Sequence, residues 1–527
     1  MILAYRRAAP WLAVVPVIGM MLFVVAPALN IFKMSLRFES LKILTTQTTR
    51  NVVWFTSWQA ILSTILVLFV ALPIAAITSN FKFVGRRALI SLVSVPFILP
   101  AVVVGAAFLE ILPGSLHRSS LAIIAAHVYF NVGLAVRIIS TRWEQIHPYL
   151  DDAANTLGAS TIRTFLTVTL PLLRTAIISA SLLVFIMCFT SYGVVRILGG
   201  PARSTIETEI YFRAMQLGDV SGALIMSVLQ ILVIGALILL VTSTRRSKNR
   251  HSKNSQKFGQ SVYSRLRNPR SIAQKIFVIT IASVSAVAVV APLVSVATRS
   301  ILLREKLDTT AWRSVLSDST IFSSLMTSLR YALITVIIST TIGLLGACAV
   351  VYGGSRYKFV SVLTALPVVI SAVTLGLGII ITFDVSPIDW RGAWLMMPLA
   401  HCLVAIPIVM RVISPVLRDL PSGLRDASRT LGASAWQMWR TIDLRIIRRA
   451  LVTSAALASA VSLGEFGASS FLVRHNNETL PLTIARLLSR PGDLIQAQAY
   501  AIATVLIVAC AGIIAVVDRL GTREPGF

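Results

Sequence analysis

Acidic side chains are scarce in this chain: 21 Asp and Glu stand against 48 Lys and Arg in 527 residues, and charged residues of both signs make up only 13%. With 56% hydrophobic residues and a mean hydropathy of +0.81, that excludes a water-soluble enzyme and a disordered protein, since neither carries such an apolar load against water. Cysteine is equally sparse. Cys188, Cys348, Cys402 and Cys510 lie inside apolar runs and none belongs to a C-x-x-C pair, so neither a disulfide framework nor a thiolate metal site is indicated. The chain has no G-x-x-x-x-G-K-[ST] loop to cradle nucleotide phosphates. It also lacks a His, Asp and Glu cluster at catalytic or metal-ligating spacing, which leaves a membrane-embedded enzyme remote.

What the chain has is apolar runs of about 18 to 28 residues, long enough to cross a hydrocarbon core of about 30 Å as helices. The sequence predicts an all-α polytopic membrane protein of about twelve spans. One set falls near residues 10–34, 54–80, 86–112, 119–140, 172–198 and 220–243, and a second near 273–297, 323–352, 358–383, 392–414, 449–473 and 495–517. The first run, behind Arg6 and Arg7, exceeds the core of a signal peptide and reads as a retained span. Between the sets, 244–275 carries ten Lys and Arg and no acid among many Ser, Asn and Gln, the composition of a flexible basic linker. The predicted domains are a first half over 1–243, this linker, and a second half over 276–527.

A net charge of +27 raises nucleic-acid binding, but the basic residues gather at the ends of apolar runs, as the positive-inside rule requires. That distribution puts both termini, the linker and the loops 141–171 and 415–448 on the cytoplasmic side, with 199–219 and 474–494 outside. The expected surroundings are a lipid bilayer, not nucleic acid.

The halves repeat each other. AHVYFNVGLAVRIIS from Ala126 returns as AHCLVAIPIVMRVIS from Ala400, an offset of 274, and 13 of 35 positions agree over 126–160 and 400–434. Six spans per unit give both halves the same orientation, related by a pseudo-two-fold axis along the membrane normal with a pathway between them.

The sharpest signal lies in the large loop of each half. Asp152-Ala153-Ala154-Asn-Thr-Leu-Gly158-Ala159-Ser160 precedes Val168-Thr-Leu170-Pro171, and Asp426-Ala427-Ser-Arg-Thr-Leu-Gly432-Ala433-Ser434 precedes Ile442-Asp-Leu444. Each reads as a short polar-faced helix broken at a glycine that tolerates positive φ, then an amphipathic stretch leading back to the membrane. Pro171 suits a helix start. Such a helix is fit to dock a partner.

These loops resemble the E-A-A-x-x-x-G pattern, followed after nine residues by I-x-L-P, that marks the permease subunits of bacterial ABC importers. The first copy has Asp152 for Glu and Val168 for Ile; the second keeps Ile442 and has Asp426 for Glu, Ser428 for Ala and Arg445 for Pro. The resemblance implies that the two loops form coupling helices seated in two copies of an ATP-hydrolysing subunit. ATP and Mg would be held on those partners and no cofactor in this chain. An extracytoplasmic solute-binding protein would deliver the solute. WQAILS (58–63), AHVYFN, LGGP (198–201), TIETEIY (205–211) and LGEFGASSFL (463–472) are similar to fused ferric-iron and thiamine permeases, without separating those two substrates. The resemblance thus implies a transport subunit, not an enzyme, of the cytoplasmic membrane. The competing class is a twelve-span secondary transporter driven by an ion gradient. Phe83-Val84-Gly85-Arg86-Arg87 only partly echoes the inner-loop motif of that class.

Other singled-out residues have two readings each. Asp152 and Asp426 are docking acids or ordinary first-turn helix charges. Arg137 and Arg411 read as snorkelling anchors, and His127 and His401 as helix–helix hydrogen-bonders rather than metal ligands. Glu465, inside the eleventh span, is either a pathway carboxylate or a satisfied structural acid. Its counterpart at the repeat offset is Ser191. The expected pathway passes Ser191 and Tyr192 on one side and Glu465 and Phe466 on the other.

Overall fold

Inside a bilayer a backbone N–H finds no water, so an apolar run crosses as a helix, and polar caps mark where several of the helices begin. Thr46 accepts from the Thr49 N–H, Ser119 from that of Ala122 and Asp318 from that of Thr320, while Ser271 and Gln274 form a reciprocal capping box. The computed structural model describes residues 2–36, 38–200, 202–249, 265–303, 306–385, 388–389, 393–474 and 477–521. The centre of the basic linker, 250–264, and the tail 522–527 lie outside the described residues.

The first half contains α1 (Ala9–Ser35), α2 (Gln47–Asn80), the bent pair α3 (Arg86–Ile98) and α4 (Ala101–Ile111), and α5 (Ser120–Glu144). A short α6 (Tyr149–Thr156), α7 (Thr161–Phe189), α8 (Gly193–Leu198), α9 (Ile206–Tyr211) and α10 (Val220–Asn249) complete it. The second half runs α11 (Ile272–Arg299), α12 (Thr310–Ser317), α13 (Ser319–Gly353), α14 (Lys358–Ile370), α15 (Ala372–Phe383) and α16 (Met396–Arg418). Then follow α17 (Ser422–Thr430), α18 (Ala435–Gly464), α19 (Gly467–Leu472), α20 (Leu480–Leu488) and α21 (Asp493–Gly521).

Among the described residues ten helical runs are long and apolar enough to cross a membrane, eleven with the bent pair. One of them, Ser319–Ile370, is 52 residues long, about 78 Å at 1.5 Å per residue, and it turns at Gly353–Tyr357. It therefore holds one full crossing, α13, and the first part of the next, which α14 and α15 make together, and the count reaches twelve in two six-span halves. Two-residue antiparallel pairs at 302–303/306–307 and 384–385/388–389 are the strands among the described residues.

The halves interlock through their first spans. Ala13, Met20 and Val24 of α1 bury themselves with Tyr331, Leu375 and Ile379 of the second half, and Asn30 donates to the Thr382 hydroxyl at 3.2 Å. Reciprocally, α11 lies on the first half, where the Tyr129 hydroxyl donates to the Val289 carbonyl at 3.0 Å. The fourth span of each half, α5 and α16, is the most enclosed. There α3 meets α5 so closely that a Cβ on Gly133 would stand 2.1 Å from the Val93 carbonyl oxygen and 2.9 Å from the Ser94 Cα. Backbone cannot yield as a side chain does. Gly133→Ala is therefore expected to cost about 3 kcal/mol, read as a clear drop in the melting temperature of the detergent-solubilised protein. Gly235→Ala, with open space around it, is expected to leave that temperature unchanged or slightly raised.

Four spans expected to be continuous are broken. The third bends by 102° at Leu99–Pro100, because proline lacks an N–H and drives Leu99 to extended backbone (ψ 147°). The ninth breaks at Ser371, held at φ +69° with its hydroxyl capping the Thr374 N–H. The fifth stops at Phe189 and resumes at Gly193, and the eleventh stops at Gly464 and resumes at Gly467. These breaks meet where the halves face each other. Gly464 lies against Pro100, Gly193 against Ala101 and Phe466, and Gly467 against Ala372 and Val373. Non-helical backbone at membrane depth survives only inside protein or along a cavity, and here it lies along the interface of the halves.

Candidate functional site

Two places stand out: a pair of exposed turns at one end of the bundle, and an aromatic seam between the halves.

The turns are built alike. After α6, Leu157, Gly158 and Ala159 donate to the carbonyls of Ala153, Asn155 and Ala154; after α17, Leu431, Gly432 and Ala433 donate to those of Ala427, Arg429 and Ser428. Gly158 and Gly432 sit at φ +79° and +81° with nothing within 4 Å of an added Cβ. Glycine is there for its backbone, closing a left-handed C-cap, and not for packing. Ser160 and Ser434 cap the next helix, and each returning helix contains a π-turn, Phe165–Thr169 and Trp439–Asp443. Pro171 follows the first π-turn; Arg445 stands at that place in the second copy and the π-turn persists, so proline alone does not cause it.

Ala153 and Ala427 are exposed on the short helices, while Ala154, Ala159 and Ala433 are half-buried beneath them. The motif's leucines are the feature that sequence reasoning passed over. Leu157 and Leu431 are each 88% exposed, at equivalent positions, just before the glycines. Read singly they look like core residues; their matched exposure marks an unpaired apolar face at each turn.

The motif acids differ in their surroundings. Asp152 accepts two hydrogen bonds from the Arg267 guanidinium, at 2.9 and 2.8 Å, and that pairing holds its carboxyl below the usual carboxylate range. A depressed folded-state pKa means that the contribution of the pair is complete at neutral pH and fades only as pH falls through the lowered value. Asp426 has Arg429 at 3.8 Å and is otherwise open to solvent.

At the seam, Tyr192 of the first half stacks on Phe466 of the second, centroids 5.2 Å apart and planes at 27°. Both are 5% exposed. Tyr211 touches Tyr192 at 5.6 Å and Phe471 edge-on at 5.4 Å, with the Arg196 guanidinium 5.3 Å from its centroid. Four rings from two halves thus close the joint. The neighbouring polar residues are engaged elsewhere. The Ser191 hydroxyl bonds His127 Nε2 at 2.8 Å. Glu465 spans the start of α19, accepting from the N–H groups of Ala468 (2.8 Å) and Ser469 (2.9 Å) and from the Ser469 hydroxyl (2.5 Å). That is the geometry of a helix-capping acid. His401 bridges Ser462 and Ser469 at 2.8 Å each, so both histidines join helices through serine hydroxyls.

A second buried acid escaped notice at the sequence level. Glu207 of α9 accepts from the Gln230 amide and meets Ser371 at the strained break across the interface. It lies one helical turn from Tyr211, on the same face. The signal was present in the segment Thr205-Ile-Glu207-Thr-Glu209, two acids beside apolar runs.

The family described as binding-protein-dependent transport system inner membrane component matches residues 71–246 and again 339–523, one match per half. The chain is 26% identical over 495 residues to the thiamine transport system permease protein ThiP of Brucella abortus, covering 90% of this chain and 88% of that protein. It is 25% identical over 500 residues to ThiP of Escherichia coli (90% and 89%), and 26% over 491 residues to ThiP of Haemophilus influenzae (88% and 87%).

Proposed function

We propose, for a chain that belongs to the binding-protein-dependent transport system inner membrane component family, that α6 and α17 each dock one ATPase subunit and that the solute is thiamine or a similar flat organic cation. Membership in the family makes the chain an ABC-importer permease that translocates a small solute through the membrane, and the ion-gradient transporter class falls away. Three finer points belong to the reading: two ATPase copies on one chain, a solute-binding protein on the opposite face, and cytoplasmic placement of both termini. The halves 1–243 and 276–527 would each supply one docking helix.

The observation that carries the solute is the aromatic seam. Rings at Tyr192, Phe466, Tyr211 and Phe471, with the buried Glu207 carboxyl one turn from Tyr211, offer π faces and an acidic hydrogen-bonding group to a planar cation. Glu465 is spent on its helix cap, so Glu207 is the better-placed acid. Similarity over nine-tenths of the chain to proteins named for thiamine transport supports the same class. Docking is supported by the paired turns, identical in hydrogen bonding and tipped by exposed leucines.

The test is uptake by liposomes holding this chain with its cognate ATPase and solute-binding protein. ATP-dependent accumulation of labelled thiamine, indifferent to proton and sodium ionophores, is expected. Accumulation of ferric iron with no thiamine uptake would overturn the solute reading; uptake that persists without the ATPase would overturn the docking.

A further inference from the structure

Where the connection between the halves re-enters the described fold it grips the first turn-bearing helix. Arg265 is 5% exposed, with every nitrogen engaged: Nε donates to Asn80 Oδ1 at 2.6 Å, Nη1 to the Ile146 carbonyl at 3.0 Å, and Nη2 to the Asp151 carboxylate. Arg267 holds Asp152 with a two-pronged pair. The backbone joins in, the Arg267 N–H donating to the Asn80 carbonyl and the Lys82 N–H to the Arg267 carbonyl, each at 2.9 Å.

The internal repeat shows what this contact replaces. In the second half, Arg425 at the foot of α17 donates twice to Asp443 on the returning helix, both at 2.9 Å, and the Tyr352 hydroxyl donates to the same carboxylate at 2.9 Å. Asp443 is fully buried, so this helix is anchored by an ion pair within its own half. At the repeat offset of 274, Arg425 corresponds to Asp151 and Asp443 to Thr169. The first half therefore has an anion where the second has a cation, and only a hydroxyl (Thr169 to Asp151, 3.3 Å) where the second has a carboxylate. Its cation comes from the connection.

We propose that Arg265 and Arg267 are positioning residues for the first coupling helix: the segment 265–267 is a strap that seats α6, through Asp151 and Asp152, for its ATPase, while α17 is seated by its own half. The proposal rests on the docking reading above. One consequence is asymmetry, because loosening the strap disturbs one docking site and spares the other. Another is that the motif acid Asp152 reaches its partner already paired, whereas Asp426 arrives open.

The test uses the full-length chain in nanodiscs with its ATPase. For the Arg265→Ala/Arg267→Ala variant, amide hydrogen exchange is expected to quicken over 149–158 and to stay as in the parent over 422–432. Binding at one of the two ATPase sites should weaken about tenfold, with a matching loss of solute moved per ATP. Restoring the second-half solution, by adding Asp151→Arg and Thr169→Asp to that variant, should recover slow exchange over 149–158. Unchanged exchange there in the double variant, or equal quickening at both helices, overturns the strap. Should the double variant fail to fold, Arg267→Ala alone, at a half-exposed side chain, decides by the same exchange measurement. Aspartate substitutions at Leu157 and Leu431 separate this proposal from its premise. If they leave ATPase binding intact the docking reading has failed; if they abolish binding while the strap variant behaves as the parent, only the strap has.

Discussion

Aspartate in place of both Leu157 and Leu431 is expected to release the ATPase subunits while leaving the permease folded. Each leucine is 88% exposed at the tip of its short helix, so neither stabilises the fold of the isolated chain. Burial of one leucine in a partner contributes about 1.5–3 kcal/mol, and a carboxylate forced into the same apolar contact adds a desolvation penalty. Affinity at each site should fall at least about a hundredfold, and co-elution of the ATPase on size exclusion should be lost. Valine at Gly158 and Gly432 acts differently. The contact surface survives, but a β-branched residue at φ near +80° carries about 1–3 kcal/mol of strain per site and redirects the turn. ATPases should then stay attached in part while substrate-stimulated hydrolysis no longer drives uptake. Intact co-elution and uptake in the leucine variant would mean that the partner sits elsewhere.

The span count, the repeat and the two turns were legible because their signals are local and redundant: run length, basic loop ends, and a motif that occurs twice at one offset. The caps at Ser160 and Ser434 and the left-handed glycines follow from the same short stretches. The breaks at 190–192 and 465–466 were not legible, since apolar residues flank them and a hydropathy window reads straight through. Only Gly193 and Gly467, with the polar residues ahead of them, hint at an interruption. Glu465 could be read either way from sequence because a capping role depends on whether a helix starts just beyond it. One does, at Gly467. Arg265 and Arg267 were absorbed into a linker whose mean composition is polar and basic. Averaging over 244–275 hides two arginines whose partners lie more than a hundred residues away in sequence.

Alanine at both Tyr192 and Phe466 is expected to make the permease leak. The two rings occupy equivalent positions in the repeat and stack across the interface, so each is the other's wall. Their removal vacates a buried volume where four helix breaks already interrupt regular packing, and nothing but Tyr211 and Phe471 remains of the ring cluster. The loss of packing costs about 3–5 kcal/mol per ring, so the melting temperature should fall. The more telling change is functional: thiamine loaded into liposomes should escape without ATP, and hydrolysis by attached ATPases should continue without net accumulation. Glu465→Gln separates closure from capping. The amide keeps one acceptor but turns a donor toward the N–H groups of Ala468 or Ser469, so α19 loses its cap and stability drops with no leak. If the Tyr192/Phe466 variant retains solute as the parent does, the seam is ordinary interface packing and the barrier to the solute lies at another level of the bundle.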